Sequence, residues 1–290
     1  MSKQEKLYIL PFDHRATFVK ELFGYREPLS GRQKSDVSRY KSLIWEAFAK
    51  VYRKQRDKTG LGILIDETFG SGIIKKAKKL GAVVSVPVEK SGQKVFDFEY
   101  GQNFGKHILK FRPDYAKVLV RYNPANKKDN LLQLKRLKKV SDFCKSKKTK
   151  FLFELLVPAT DSQKSKSYDS KLRPALTVKA IKEIRAFGIE PNIWKLEEMP
   201  AKKDWQNVIN AVNLDSRIVM LGRAGTKQQV KDWLKTASQF KEIIGFAIGR
   251  TIFFKPLENY RDKKITEKQA VEAIAREFDS FINFWEKCKN

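Results

Sequence analysis

Eight short apolar runs recur along the chain at intervals wide enough for a helix, and no other feature limits the fold as tightly. They read LYILPFD (7–13), GILIDE (62–67), AVVSVPVEK (82–90), YAKVLVRYN (115–123), FLFELLVPA (151–159), NIWKLEE (192–198), RIVMLGRAG (217–225) and GFAIGRTIF (245–253). Most are continuous rather than alternating, as parallel strands are when helices cover one face and side chains fill the other. The segments between them carry helical periodicity. Val37, Tyr40, Ile44, Ala47 and Val51 fall on one stripe, and Val178, Ile181, Ile184 and Phe187 on another that Gly188 stops. Thr266 and Gln269 form a candidate capping box ahead of a last stripe of Val271, Ile274, Phe278, Ile282 and Trp285. Eight βα units within 290 residues, with no evident linker, predict a single-domain (β/α)8 barrel over 1–290. An open doubly wound sheet is the alternative, but its first turn is usually glycine-rich, and here that turn reads PFDHRATF. The first connection, 14–61, is long enough for two helices.

In such a barrel, catalytic groups collect at the C-terminal strand ends and phosphate binds after the last two strands. The first run ends in Asp13-His14-Arg15, the second in Asp66-Glu67 and the third in Glu89-Lys90-Ser91-Gly92. In the fourth, Lys117, Leu119 and Arg121 share a face. Glu154 lies within the fifth, Lys195 and Glu197 share a face of the sixth, and the last two hold Gly222-Arg223 and Gly249-Arg250. A single charge at a strand end is commonly a solvated terminus. Lys117, Glu154 and Lys195 differ, because they interrupt apolar runs on neighbouring strands, where charge is costly unless paired or used.

One reading of that trio is a structural ion-pair network. The other is chemical: a desolvated lysine beside a second cation, here Lys117, has its amine form favoured and can attack a ketone. The protonated imine that results is an electron sink. It lets the neighbouring carbon–carbon bond break while Asp13 or Glu154 carries the proton of the β-hydroxyl. Gly222 and Gly249 would let backbone N–H groups approach a phosphate, and Arg223 or Arg250 would neutralise it.

This chemistry needs no metal and no other cofactor, which suits a chain with only two histidines, His14 and His107, and two cysteines, Cys144 and Cys288, without CxxC spacing. The formal charge of +27 admits nucleic acid as a partner. Yet the lysines spread over the chain, and the densest stretches, KKAKKL (75–80) and KRLKKVSDFCKSKKTK (135–150), fall on amphipathic helices and their exits. Solvated outer faces are the simpler reading; attraction of anionic substrates by the summed field is the functional one. Nucleic-acid binding is disfavoured, since no aromatic-basic motif accompanies the charge. No run approaches the roughly 18 apolar residues that a membrane span needs, and the N-terminus lacks signal-peptide character. The expectation is a soluble cytoplasmic protein without a membrane partner, whose self-association into a homo-oligomer the sequence leaves open.

Taken together, LYILPFDHRATF, PVEKSGQ, KVLVRYNP, FLFELLVPAT, IEPNIWKLE and GFAIGRTIF, spread from about Leu7 to Leu257, resemble the 5-dehydro-2-deoxyphosphogluconate aldolases of myo-inositol catabolism. In many bacteria that domain follows a 5-dehydro-2-deoxygluconokinase on one polypeptide, whereas this chain is expected to stand alone. More distantly, it is similar to the class I tagatose-bisphosphate and sulfofructose-phosphate aldolases, which are (β/α)8 barrels. The resemblance implies that Lys195 of WKLE is the Schiff-base lysine. It matches Asp13 of FDHR to the family's strand-1 aspartate, Lys117 to its strand-4 lysine, Glu154 to its strand-5 acid and Arg250 of GRTIF to its phosphate-binding arginine.

The implied reaction is retro-aldol cleavage of 6-phospho-5-dehydro-2-deoxy-D-gluconate to dihydroxyacetone phosphate and malonate semialdehyde. Another phosphorylated ketose, such as tagatose bisphosphate, is the alternative substrate. Lys195 would take the C5 ketone, Glu154 or Asp13 the C3 hydroxyl proton, Arg223 or Arg250 the phosphate, and Arg15 or Arg121 the substrate carboxylate. The chain departs from the pattern twice: LGRAG lacks a glycine closer behind its arginine, and WKLEEM replaces a glycine after the acid.

Overall fold

A strand buried on both faces needs partners for both backbone edges, and here the runs supply one another's edges. In the computed structural model, which describes residues 5–289, they close into a barrel in simple sequence order. The strands are β1 (Leu7–Pro11), β2 (Leu61–Leu64), β3 (Val83–Pro87), β4 (Tyr115–Arg121), β5 (Lys150–Leu156), β6 (Ile193–Leu196), β7 (Arg217–Leu221) and β8 (Ile243–Ala247). Neighbours pair in parallel, and β8 returns to β1 through Phe246 opposite Tyr8.

Helices follow the strands: α1 (Ala16–Phe23), α2 (Gly31–Lys54), α3 (Glu67–Leu80), α4 (Phe104–Phe111), α5 (Lys127–Ser146), α6 (Arg173–Ala186), α7 (Lys202–Ala211), α8 (Lys227–Ala237), α9 (Arg250–Arg261) and α10 (Glu267–Lys289). The long first connection holds two of them, as its length predicts. Ser30 and Gln33 cap α2 reciprocally, and Thr266 and Gln269 exchange the same two hydrogen bonds before α10. These two longest helices lie against each other through Phe48 and Phe278 and through the Lys54–Asp279 ion pair. The lysine-dense stretches fall on α3 and α5 and the exit of α5, with Lys75, Lys76, Lys135, Lys145 and Lys147 exposed. No described helix is long and apolar enough to cross a membrane.

Side chains alternate across a strand, so each one sends half its residues to the helices and half into the barrel. Tyr8, Leu10, Ala116, Val118, Phe151, Phe153, Trp194 and Leu196 join the large cluster beneath the helices. Leu7, Ile9, Leu64, Tyr115, Leu152, Ile193 and Val219 form a separate small cluster, the apolar filling of the barrel. One step further along the same inward phase stand Lys117 after Tyr115, Glu154 after Leu152 and Lys195 after Ile193. The fold therefore stacks a charged layer directly on an apolar plug.

Several runs are longer than the strands they contain. The third and eighth were read to Lys90 and Phe253, but β3 ends at Pro87 and β8 at Ala247. Gly249 instead precedes α9, whose inner face buries Ile252 and Phe253. A short apolar run is compatible with either a strand or a buried helical turn, and here the helix takes it. Asp66 and Glu67 likewise belong to α3: the Asp66 carboxylate accepts the Phe69 N–H as N-cap and pairs with Lys41 of α2, both side chains fully buried.

Candidate active site

At the C-terminal end of the barrel the strands open on a cavity of about 380 Å³ whose wall includes Asp13, His14, Glu89, Lys117, Glu154 and Lys195. Its centre is Lys117 of β4. The ammonium lies 2.8 Å from Asp13 Oδ2, 2.6 Å from Glu89 Oε1 and 3.0 Å from Glu154 Oε2. An ammonium carries three N–H donors, and here three carboxylates surround it. Glu154 turns its other oxygen, Oε1, to Lys195 Nζ at 2.9 Å. The parallel register sets that contact, because Glu154 of β5 and Lys195 of β6 are paired residues. All five side chains are buried, Lys117 the deepest at 1% exposure.

Such crowding separates the acids. Burial pushes the Asp13 carboxyl up, but Lys117, His14 and Lys195 together outweigh it and hold Asp13 well below its ordinary value. For Glu154 burial is again opposed, by Lys117 and Lys195, and the group stays below the usual glutamate value. Glu89 goes the other way: burial dominates, Lys117 only partly offsets it, and the Asp13 charge adds to the rise. Lys117 itself lies well above the ordinary lysine value, since its three acids overcome burial. Burial brings His14 down to about 4, with Asp13 opposing and Lys195 assisting. At neutral pH the imidazole is therefore uncharged.

Lys117 is expected beside Lys195 as a second cation that favours the neutral amine. The structure surrounds its charge with three carboxylates and sets Glu154 in contact with both lysines. The three carboxylates need a central cation, and the side chain of Lys117 supplies it.

Four arginines reach the cavity, and each has acquired partners. Arg250, at the first turn of α9, pairs with Glu21 of α1 and lies over the Phe254 ring at 5.2 Å. Arg223, after β7, meets Asp169 at 3.0 Å, Glu197 at 3.2 Å and Glu198 at 3.1 Å. The fully buried Arg173 holds Glu198 from behind, so this acidic cluster is shared by two guanidiniums. Arg15 is buried between Glu99, at 2.8 Å, and the Glu89 carbonyl. Arg121 is exposed and donates to the Gln93 carbonyl at 3.1 Å.

The two glycines are there for different reasons. A Cβ on Gly249 would sit 2.2 Å from the Pro11 carbonyl oxygen, so close backbone approach requires glycine at that turn. At Gly222 the nearest obstacle is the Ile248 side chain at 3.2 Å. The residues behind it, Arg223 and Ala224, both adopt positive φ, 42° and 54°. In LGRAG the chain thus accepts a left-handed turn without glycine at either position.

The family model described as "Uncharacterized protein conserved in bacteria (DUF2090)" matches residues 1–289. The chain belongs to the DUF2090 family. No curated protein sequence matches it significantly. Among solved structures, this DUF2090 chain is similar to fructose-bisphosphate aldolase from Plasmodium falciparum, crystallised with TRAP and a small-molecule inhibitor. The TM-score is 0.71 at 12% identity, over 98% of this chain and 92% of that one. It is also similar to Cgl0159 from Corynebacterium glutamicum, with a TM-score of 0.59 at 16% identity, over 95% of this chain and 86% of that one. At these identities the likeness is one of fold.

The DUF2090 structure brings Asp13, Lys117, Glu154 and Lys195 into one contact network, and sets Arg15, Arg121, Gly222, Arg223, Gly249 and Arg250 around the same cavity. Sequence reasoning gave no role to Glu89, His14 or the Arg173–Glu198 pair. Glu89 had a legible signal: it continues the inward phase of Val83, Ser85 and Pro87. Arg173 had none, because it lies on a helix and reaches the site only through tertiary packing.

Proposed function

We propose that this DUF2090 chain is a class I, Schiff-base aldolase, a carbon–carbon lyase acting on a phosphorylated ketose acid. The observation that carries the reading is Lys195, buried in β6 at the foot of the cavity and held by a carboxylate that also touches Lys117. Attack by the Lys195 amine on a substrate ketone, with loss of water, gives a protonated imine. Glu154 touches the nucleophile and is held ionised, which suits it to take the β-hydroxyl proton; Asp13 is the second candidate. Breaking the bond leaves an enamine on Lys195 and releases an aldehyde. Protonation and hydrolysis then return the ketone product and the free amine. Lys117 keeps three acids together around this chemistry.

For the substrate, the resemblance favours 6-phospho-5-dehydro-2-deoxy-D-gluconate, yielding dihydroxyacetone phosphate and malonate semialdehyde. A dianionic phosphate would displace Glu21 from Arg250 or compete for Arg223, and Arg121, which pairs with a carbonyl rather than an acid, is suited to the substrate carboxylate. We place the protein in the cytoplasm, a reading supported by the free thiols Cys144 and Cys288.

The test is borohydride reduction with dihydroxyacetone phosphate in the presence of a chelator, followed by peptide mapping. The adduct is expected on Lys195 and is expected to vanish in Lys195→Arg, because a guanidinium does not lose its proton in proteins. An adduct on Lys90 or Lys117, or none at all, would defeat the assignment.

A further inference from the structure

Three buried carboxylates meet at most two ammonium groups in this site, and the surplus has to be resolved somewhere. Glu89 is where the geometry leaves it. Its Oε1 is held by Lys117, while Oε2 is buried without a hydrogen-bond partner. A buried charged oxygen without a partner is among the costliest groups in a protein, whereas a protonated carboxyl is tolerated there. Its backbone is fixed on both sides. Glu89 bridges Phe98 across the loop after β3, and its carbonyl accepts from Arg15. The side chain lines the cavity.

The charged groups around it come from several elements. From the end of β1 come Asp13, which disfavours a second negative charge, and Arg15, which opposes the rise of Glu89 but is itself paired with Glu99. From β4 comes Lys117, shared with two other acids. Further along the wall are Glu154, Lys195 and the uncharged His14. The balance raises Glu89 while it lowers Asp13 and Glu154.

We propose that Glu89 carries a proton at rest and, once substrate binding has turned its carboxyl towards the cavity, donates it as a hydrogen bond to an oxygen of the bound substrate. The acceptor is a hydroxyl or carbonyl oxygen of a polyhydroxylated chain, and that substrate class rests on the aldolase reading. The proton is shared and not transferred, so the proton of carbon–carbon cleavage stays with Glu154 or Asp13. Glu89 is thus a substrate-contacting residue that distinguishes a chain bearing oxygen at that position from one lacking it.

Infrared spectroscopy of the free enzyme at neutral pH tests the first half without substrate. A protonated-carboxyl C=O band is expected in the wild type and should disappear in Glu89→Gln. No such band, or a band unchanged in Glu89→Gln, overturns the proposal. Kinetics test the second half: Glu89→Gln, which keeps a neutral donor, should have a kcat/KM roughly tenfold or more above that of Glu89→Ala. The wild-type kcat/KM should fall at alkaline pH as Glu89 ionises, and that limb should be missing in Glu89→Gln. Equal impairment of the two variants would mean that Glu89 serves only as a charged partner of Lys117, and would refute donation. A Glu89 band without borohydride trapping of Lys195 would instead leave the protonation standing and refute the aldolase reading.

Discussion

Replacing Lys117 by methionine removes the centre of the site while keeping most of its volume, and the size of the effect follows from the geometry. Three carboxylates lie 2.6, 2.8 and 3.0 Å from the ammonium. At an effective dielectric of about 20, each contact with an ionised partner, Asp13 or Glu154, is worth roughly 6 kcal/mol of gross attraction. Most of that offsets desolvation, so the measurable loss is that of removing one partner from a buried pair, about 3–5 kcal/mol.

The pH dependence gives the sharper check. In the wild type, Asp13 and Glu154 lie below their ordinary values. They contribute stability above the unfolded-state pKa, and it is lost as pH falls through the folded-state pKa. Without Lys117 the burial of these acids is unopposed by their main cation, and their values rise. The penalty is then largest at neutral pH and relaxes as acidification protonates them. Lys117→Met should therefore melt roughly 6–20 °C below wild type near neutral pH, with the gap narrowing by about pH 5. Thermal melts followed by circular dichroism at the two pH values measure it. A gap that is constant with pH, or a variant as stable as wild type at neutral pH, would show that the three acids do not depend on Lys117.

Arg250→Ala should raise KM for a phosphorylated ketose, by roughly 1.5–3 kcal/mol in apparent binding, with little change in kcat; a normal KM would move the phosphate away from α9. Lys41→Met should destabilise the fold by about 3–5 kcal/mol, because it strands the fully buried Asp66, and adding Asp66→Asn should recover part of that loss. Additive losses in the double variant, read from denaturant midpoints, would refute the pairing.

Much of the candidate site was legible because strand geometry is local. A period of two, applied to YAKVLVR, FLFELL and NIWKL, sets Lys117, Glu154 and Lys195 on the face opposite the helix-covered one, and a charge within an apolar strand requires an explanation. Hydrophobic periodicity likewise settled the order of strands and helices. The less legible part lay where a run was ambiguous by length, as with GRTIF, which reads as strand and folds as the start of α9.

The sequence by itself determined the repeating βα pattern, and with it the barrel and the inward phase of its charged residues. Only the tertiary structure decided which charges meet. Lys117 is surrounded by residues 104, 28 and 37 positions away, counting 117 − 13, 117 − 89 and 154 − 117, and no local pattern specifies that convergence. Ring closure and register create it. The same closure buries all three acids, which raises the value of Glu89, while it brings Lys117 and Lys195 close enough to Asp13 and Glu154 to lower theirs. Protonation in such a cluster depends on distances among all its members, and those distances exist only once the barrel has closed.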